Sequence, residues 1–303
     1  MFVMLVGCPG SGKSTWAKEF AGRKAEKGEE VYIVSSDAIR GELWGDESIQ
    51  GDPKRVFEIA HKRVVNAMES GYEYVIFDAT NIRYKDRMSL MDKIAHIADE
   101  KRCIIFAEPY EILCQRNESR ERTVPKEVIW RMITNFEVPL YTEGFDDIRI
   151  HNDYNLNVVD YLDRMIGFNQ DNPNHSLDLY NHCSKAKDYI YHLPNYHCIY
   201  NIVAHAALLH DIGKPDVKTY FNAKGERTTA AHYYNHQNVG GYLMLLFSTS
   251  SSQENRLLAA QLVCYHMVPY FANSEAAQTR WKNRLGKIYD LVMLLHEADE
   301  YAH

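Results

Sequence analysis

Short apolar runs alternate with amphipathic segments along the first half of the chain. The runs are interpreted as buried strands at 2–6, 31–34, 74–77, 103–106 and 148–150. The intervening segments repeat apolar residues at helical spacing. They are predicted as helices over 15–27, 53–70, 85–99, 111–120 and 125–136. Such alternation is typical of an α/β fold, here a parallel sheet with helices on both faces.

The second half shows few strand signals and is predicted as an all-α domain. Its helical patterns lie over 179–191, 199–210, 232–247, 254–266 and 285–301. The stretch 220–226 is predicted as a short hairpin or a loop. A polar, proline-containing stretch at 168–174 is the strongest boundary signal. We therefore expect a first domain over 1–160 and a second over 170–303.

Composition places the chain among ordinary globular proteins, with 303 residues of which 46% are hydrophobic. No apolar run reaches the roughly 18 residues that a membrane span needs, so no membrane role is expected. The first residues lack a basic segment and are interpreted as a strand rather than a signal peptide. Six scattered cysteines without a C-x-x-C pair favour reduced thiols in a cytoplasmic protein.

The first apolar run leads directly into GCPGSGKST at 7–15, which fits G-x-x-x-x-G-K-[ST]. The glycines allow successive N–H groups to face one anion, and the following helix points its positive end at the same place. Lys13 is expected to reach the β- and γ-phosphates, and Ser14 to offer its hydroxyl to Mg²⁺. The predicted site for ATP and Mg²⁺ comprises Gly10, Ser11, Gly12, Lys13, Ser14 and Thr15.

Two acidic residues follow predicted strands, where the crevice of an open α/β sheet lies. Asp37 comes after the second strand and is interpreted either as the base that accepts a proton from an attacking hydroxyl or as a helix N-cap. Asp78 comes after the third strand. It either contributes to the magnesium shell or orients the acceptor, or it closes an Asx-type turn. Both carboxylates are therefore candidate active-site residues.

Basic residues cluster in RNESRER at 116–122, just before a Val-Pro pair. Arg116 and Arg120 are four residues apart and share one face of a helix. Two guanidinium groups on a movable lid would clamp the γ-phosphate while its charge redistributes. A solvated helix face is the alternative interpretation of this run of charges.

Residues 1–150 resemble the phage-type polynucleotide 5′-kinases. The resemblance is carried by GCPGSGKSTWA at 7–17, Asp37 with Arg40, DATN at 78–81, the arginine-rich lid and EGFD at 143–146. It implies a P-loop kinase in which Asp37 is the general base. It also implies that Arg40 holds the phosphate beside the acceptor 5′-hydroxyl. Arg116 and Arg120 would be the lid arginines.

Histidines are concentrated in the second half, where 12 of the 14 lie at or beyond position 151. An ordered set of imidazoles and carboxylates runs along it, namely His182, His210, Asp211, His236, His266 and Asp299. Such ligands suit Mn²⁺, Ni²⁺, Co²⁺, Fe or Zn²⁺, and a carboxylate such as Asp211 can bridge two metal ions. A single histidine is more often a surface or packed residue, so the hypothesis rests on the set.

The run AALLHDIGKP at 206–215 resembles the signature of the HD phosphohydrolase superfamily, with similarity over 172–303. The resemblance implies a helical fold and hydrolysis of phosphomonoesters or phosphodiesters. It implies core metal ligands at His182, His210, Asp211 and Asp299, with a second metal site completed by His236 and His266. It further implies that Lys214 contacts a substrate phosphate.

A 5′-kinase joined to a phosphohydrolase suggests an enzyme that heals RNA ends. It would add a 5′-phosphate from ATP and open a 2′,3′-cyclic phosphate or remove the resulting phosphate, which leaves ends suited to a separate ligase. The net charge of −7 argues against bulk attraction to nucleic acid, so a polynucleotide would be held at its end. The alternatives are a nucleoside or small-molecule kinase fused to a nucleotide phosphohydrolase, and a nucleotide-responsive regulator.

Overall fold

The computed structural model describes residues 1–119, 123–172, 177–194, 197–248 and 252–303. The chain divides into two compact units. The first comprises Met1–Met132 and Pro139–Tyr154, and the second comprises Ile133–Val138 and Asn155–His303. The division falls a few residues before the expected end of the first domain at 160. The segment 133–138 is also assigned to the second unit, although the sequence places it within the first domain.

The first unit is built on a parallel sheet of five strands in the order β2-β3-β1-β4-β5. The strands are β1 at Phe2–Gly7, β2 at Val31–Ser35, β3 at Tyr74–Asp78, β4 at Lys101–Phe106 and β5 at Asp147–His151. All six residues of β1 are buried, because this strand lies at the centre of the sheet. Continuous apolar runs are what strands covered on both faces require. The predicted strands and the α/β fold are therefore confirmed.

Six helices connect the strands of the first unit. They are α1 at Lys13–Ala25, α2 at Ser36–Trp44, α3 at Pro53–Glu69, α4 at Tyr84–Ile94, α5 at Tyr110–Glu118 and α6 at Lys126–Ile133. Helix α3 shows why the pattern predicts them, since Asp52 caps its first turn, Pro53 begins it, and Val56, Ala60 and Val64 are fully buried. The structure ends the last of these helices at Ile133 rather than at 136.

A buried ion pair connects α4 to the segment that precedes β5. Arg87 of α4 donates through Nε and Nη2 to the carboxylate of Glu143 at 2.6 and 2.8 Å, and both side chains are fully buried. The remaining donors and acceptors are used as well. Arg87 Nη1 donates to the carbonyl of Asn81 at 3.0 Å, and the amide of Leu140 donates to Glu143 at 3.0 Å. The pair therefore ties the turn after β3 to the segment before β5.

In its described residues, the second unit is mostly helical and contains an antiparallel hairpin. Its helices are α7 at Val158–Met165, α8 at Leu179–Tyr191, α9 at Tyr200–Leu209, α10 at Lys214–Val217, α11 at His236–Met244, α12 at Gln253–Tyr265, α13 at Val268–Phe271, α14 at Glu275–Leu285 and α15 at Tyr289–Ala302. The hairpin pairs β6 at Thr219–Phe221 with β7 at Arg227–His232. The described part of the chain contains no helix that is both long and apolar enough to cross a membrane.

The hairpin makes one helix begin later than the sequence pattern predicts. The pattern over 232–247 predicts a helix from its first residue, but His232 ends β7 and α11 begins only at His236. Asn235, with φ 61°, turns the chain from strand to helix in the left-handed conformation that asparagine tolerates. The boundary signal at 168–174 lies, in its described part, inside the second unit. It is therefore not an exposed linker there.

Candidate functional sites

The phosphate loop joins the carboxyl end of β1 to the first turn of α1. Gly10 and Gly12 have φ of 81° and 91°, which only glycine adopts without strain. A Cβ on Gly10 would also lie 2.7 Å from the carbonyl oxygen of Leu113. Lys13 donates from Nζ to the carbonyl of Cys8 at 2.8 Å and lies 3.3 Å from Ser11 Oγ. The ammonium is thus folded over the loop, at the place where phosphates are held in such motifs.

Asp78 reaches the phosphate loop from the end of β3. The hydroxyl of Ser14 donates to Asp78 Oδ2 at 2.6 Å, and Asp78 is only 6% exposed. The parallel pairing of β1 with β3 places Leu5 opposite Asp78, so both strands end at the same edge. A hydroxyl beside a carboxylate is a suitable magnesium environment, with oxygen ligands and room for water.

Asp37 and Arg40 lie on one face of α2, three residues apart. Arg40 Nη1 donates to Asp37 Oδ1 at 2.8 Å, and the Asp37 side chain remains 34% exposed. The N-cap of α2 is Ser35, whose hydroxyl accepts from the amide of Ala38 at 3.3 Å. The capping role that the sequence left open for Asp37 therefore falls to Ser35, and the Asp37 carboxylate faces solvent beside a guanidinium.

One cavity of about 950 Å³ connects these groups within the first unit. Its lining includes residues Gly10 to Thr15 of the phosphate loop together with Asp37, Arg40, Asp78 and Arg116. It also includes residues that the sequence did not single out, among them Phe57, Arg131 and His151. A volume of this size suits a small-molecule or nucleotide ligand.

Arg116 of α5 is held by two carboxylates beside the loop. It contacts Asp153 at 2.8 Å and Glu108 at 3.4 Å, and a Cβ on Gly12 would lie 3.9 Å from its Nη1. Burial raises the pKa of Glu108, although the amide of Asp153 donates to this carboxyl at 2.9 Å. Asn117 closes the following loop, since its side chain exchanges hydrogen bonds of 2.8 and 2.9 Å with the backbone of Val124. The second predicted lid residue, Arg120, lies outside the described residues.

The predicted metal ligands of the second unit come together from five helices or helix ends. His182 lies on α8, His210 and Asp211 directly follow α9, His236 begins α11, His266 directly follows α12 and Asp299 lies on α15. All six are buried. Their ligand atoms meet in two groups that share Asp211, one with His182 and His210 and the other with His236 and His266.

Asp211 faces the two groups with different oxygens. Its Oδ1 lies 3.0 Å from His236 Nε2 and 3.7 Å from His266 Nε2. Its Oδ2 lies 3.3 Å from His210 Nε2 and 2.6 Å from Lys214 Nζ. Asp299 completes the first group, with Oδ1 at 3.0 Å from His182 Nε2. A carboxylate in this position is suited to bridge two cations.

Three of the imidazoles are oriented by the same kind of hydrogen bond to the backbone. His210, His236 and His266 each donate from Nδ1 to the carbonyl three residues earlier, at 2.8 Å in every case. Because a carbonyl can only accept, Nδ1 carries a proton, and Nε2 of each neutral ring then directs its lone pair at the cluster. This arrangement fixes tautomer and ring orientation, as is usual for metal-ligating histidines.

The lone pairs in the cluster fit a divalent cation. Nε2 of His236 and Nε2 of His266 face each other at 3.3 Å. Among the described residues, Nε2 of His210 has no hydrogen-bond partner. One cation with metal–nitrogen bonds of about 2.1 Å can contact two nitrogens at that separation. The donor set therefore suits metal binding better than an empty polar core.

Charge within the cluster is also arranged for a cation. Burial lowers the pKa of His266 to about 3, so this imidazole stays neutral. Burial alone would raise the pKa of Asp211, but the Lys214 ammonium and the His210 imidazole hold it well below its usual range. Asp211 is thus an anion, as metal coordination requires of a carboxylate ligand.

Two neighbours of Asp299 were not singled out by the sequence. The hydroxyl of Tyr270 donates to Asp299 Oδ2 at 2.9 Å, and His303 Nε2 lies 3.8 Å from Asp299 Oδ1. His303 follows Asp299 by four residues, so helical spacing was a usable signal for it. Tyr270 lies on a different helix, and no local pattern connects it to Asp299. The second half of the sequence also contains His175, which lies outside the described residues.

Comparison with known proteins supports the assignment of the first unit. Residues 2–139, less than half of the chain, match a family model described as an AAA domain. An L-seryl-tRNA(Sec) kinase from Methanococcus maripaludis is 29% identical over 175 residues, which are 56% of this chain and 66% of that protein. The chain thus spans just under two thirds of this curated relative. Together with the loop geometry, these matches define a P-loop domain of the kinase type, which implies ATP and Mg²⁺.

Solved structures with partial similarity were also found. A chain from a structure of the Pnkp1/Rnl/Hen1 RNA repair complex is 25% identical, with a TM-score of 0.38, over 44% of this chain and 43% of that chain. A gluconokinase from Sinorhizobium meliloti 1021 is 14% identical, with a TM-score of 0.34, over 50% of this chain and 81% of that chain.

Proposed function

We propose that the chain is a bifunctional enzyme that heals RNA ends. One activity is an ATP-dependent polynucleotide 5′-hydroxyl kinase. The other is a metal-dependent 2′,3′-cyclic phosphodiesterase or 3′-phosphatase of the HD type, and a separate ligase would use the products. The observation that carries the proposal is the presence, in one chain, of a phosphate-loop cavity lined by the Asp37 carboxylate and of a buried cluster of imidazoles around Asp211.

In the kinase reaction, Asp37 accepts the proton of the 5′-hydroxyl as its oxygen attacks the γ-phosphorus of ATP. A bond forms between that oxygen and phosphorus, the bond to the β–γ bridging oxygen breaks, and ADP leaves. Lys13 and Arg116 offset the negative charge on the phosphates. Arg40, which contacts Asp37 at 2.8 Å, holds the acceptor end beside the base.

In the second reaction, His182, His210, Asp211 and Asp299 would hold one cation, and Asp211, His236 and His266 a second. A bound divalent cation supplies Lewis-acid polarisation of a phosphoryl oxygen and makes water more acidic. The water oxygen bonds to phosphorus, one ester P–O bond breaks and the departing ribose oxygen takes up a proton from the water, so a cyclic phosphate becomes a phosphomonoester. Lys214, whose Nζ lies 2.6 Å from Asp211, is placed to neutralise a phosphoryl oxygen.

An RNA-borne acceptor is supported by the relative named L-seryl-tRNA(Sec) kinase, which matches over 56% of this chain. The competing proposal is a nucleoside or small-molecule kinase fused to a nucleotide phosphohydrolase. The net charge of −7 favours this competitor, because polynucleotide-binding surfaces are usually basic. Comparing a free nucleoside with an oligonucleotide as acceptor, at equal concentration, separates the two.

The experiment uses an RNA oligonucleotide with a 5′-hydroxyl and a 2′,3′-cyclic phosphate, incubated with ATP, Mg²⁺ and either Mn²⁺ or Ni²⁺. We expect Lys13→Ala and Asp37→Ala to abolish only 5′-phosphorylation. Asp211→Ala is expected to abolish only the change at the 3′ end. No labelling of the 5′ end by the wild-type protein would overturn the kinase proposal. Loss of both activities from one substitution would overturn the independence of the two sites.

A further inference from the structure

A buried glutamine lies next to the metal-ligand cluster, in a segment that has the composition of a linker. Gln170 is only 1% exposed. Its Oε1 accepts a hydrogen bond from Lys214 Nζ at 2.8 Å. Within the described part of the chain, its Nε2 has no hydrogen-bond partner. A buried amide that keeps two unused N–H donors is costly unless an acceptor arrives with a ligand.

The amide of Gln170 is one side chain away from Asp211. The Lys214 ammonium, which contacts Gln170, also lies 2.6 Å from Asp211 Oδ2. Lys214 itself is only 6% exposed. A single ammonium therefore links the carboxamide to the carboxylate shared by both ligand groups. The unused N–H donors of Gln170 belong to the same carboxamide group that contacts Lys214.

Backbone contacts hold the loop around Gln170 in place. The hydroxyl of Tyr233 donates to the carbonyl of Gln170, and the carbonyl of Tyr233 accepts the Nδ1 proton of His236. On the next residue, the carbonyl of Asp171 accepts from the amide of Ala231 at 2.9 Å. The loop is thus fixed to the hairpin and to a metal ligand. These contacts preorganise the loop that carries the Gln170 carboxamide.

We propose that Gln170 is a phosphate-binding residue of the second site. Its NH₂ group donates to a non-bridging oxygen of the substrate's phosphoryl group, while its carbonyl oxygen holds Lys214 in position. The inference rests on the proposed function in that the second unit binds a phosphate ester. It adds a specificity element for the phosphoryl group itself, supplied by a residue outside the HD-type motif.

Two substitutions separate the donor from the acceptor of this amide. Gln170→Glu keeps an oxygen that accepts from Lys214 but replaces the NH₂ donor with a second oxygen. Gln170→Met has a similar length and removes both functions. The primary measurement is the dissociation constant of inorganic phosphate for the Mn²⁺-loaded protein by isothermal titration calorimetry. Metal content and thermal midpoint are measured on the same samples.

We expect Gln170→Glu to weaken phosphate binding by about tenfold to hundredfold, as for the loss of a hydrogen bond to a charged group. Metal content is expected to stay unchanged. Gln278→Glu, which makes the same charge change on the exposed surface of α14, is the matched control and should bind phosphate like the wild type. Should the charged variant unfold, the neutral Gln170→Met supports the same comparison.

Wild-type phosphate affinity in both Gln170 variants would overturn the proposal, and so would a wild-type protein that loads metal but binds no phosphate. The proposed hydrolase activity is tested separately. A wild-type protein that binds phosphate through Gln170 but hydrolyses no cyclic or linear phosphate ester would overturn that activity. It would still support the role of Gln170 in phosphate binding.

Discussion

Ser14 of the phosphate loop donates a 2.6 Å hydrogen bond to Asp78 at the end of the neighbouring strand. The contact joins two segments separated by 64 positions, and it exists because β1 and β3 are parallel and end at the same edge. Both groups offer oxygen ligands for Mg²⁺. We therefore expect Asp78 to contribute to the binding site of the Mg²⁺ ion that accompanies ATP.

The first prediction is that Asp78→Asn lowers the apparent affinity for Mg²⁺ in 5′-phosphorylation by roughly 10- to 100-fold, the range found when an oxygen near a metal is altered. Titrating Mg²⁺ at fixed ATP measures this effect. Asp92→Asn, which neutralises an exposed carboxylate on α4, is the control. A loss of activity that excess Mg²⁺ does not relieve would instead indicate that Asp78 orients the acceptor.

The second prediction concerns acid stability. Burial, aided by Lys93, lowers the pKa of His61 to about 4, whereas the ordinary value is 6.5. The unfolded chain therefore binds more protons between these two values, and the free energy of unfolding falls as the pH drops through this window. The contribution is fully present above about pH 6.5 and amounts to about 2 kcal/mol lost at pH 5.

His61→Phe is designed to remove this pH dependence, because the ring packs between Phe57 and Phe77 and a phenyl group fits the same surroundings. The measurement is urea unfolding of wild type and variant at pH 7 and pH 5. The variant is expected to lose less stability between the two pH values. An equal loss in both proteins would mean that His61 does not set the acid sensitivity.

The third prediction concerns the ion pair between Arg87 and Glu143. Arg87→Met leaves a fully buried carboxylate without its partner, which is expected to cost about 3–5 kcal/mol of unfolding free energy. Arg83→Met removes a similar contact, to Asp86 on the surface, and should cost no more than about 1 kcal/mol. Equal effects in urea unfolding would contradict the assignment of the buried pair as a structural brace.

The local pattern of apolar residues was sufficient to predict most strands and helices of the first unit. Strands buried on both faces leave uninterrupted apolar runs, and α3 carries an apolar stripe with a cap. Helix α14 shows where the pattern fails. Seven of its eleven residues are exposed and only Leu285 is buried, so it has no apolar periodicity to detect. Helix α7 was missed as well, and its buried residue is Met165.

The candidate sites divide in the same way. The glycines of the phosphate loop and the His-Asp pair can be recognised from their spacing in the sequence. The candidate metal ligands around Asp211 could therefore be predicted as a list of residues. The tautomers were not predictable, because they depend on carbonyl groups at helix ends. Gln170 lies in a polar, proline-containing stretch, and only its burial beside Lys214 distinguishes it from a linker residue.

The last prediction concerns the number of metal ions. If Asp211 serves two groups of ligands through its two oxygens, the ligands on each side are needed for one ion each. His266→Ala is then expected to lower the metal content by about one equivalent per chain, whereas Asp211→Ala should lower it by about two. Metal analysis of purified protein after loading with Mn²⁺ provides the measurement.

His232→Ala removes a histidine of the hairpin that stacks on Tyr234, and it should leave the metal content unchanged. Identical losses from His266→Ala and Asp211→Ala would indicate a single shared ion. Unchanged 5′-phosphorylation in all three variants would show that the loss is confined to the second unit.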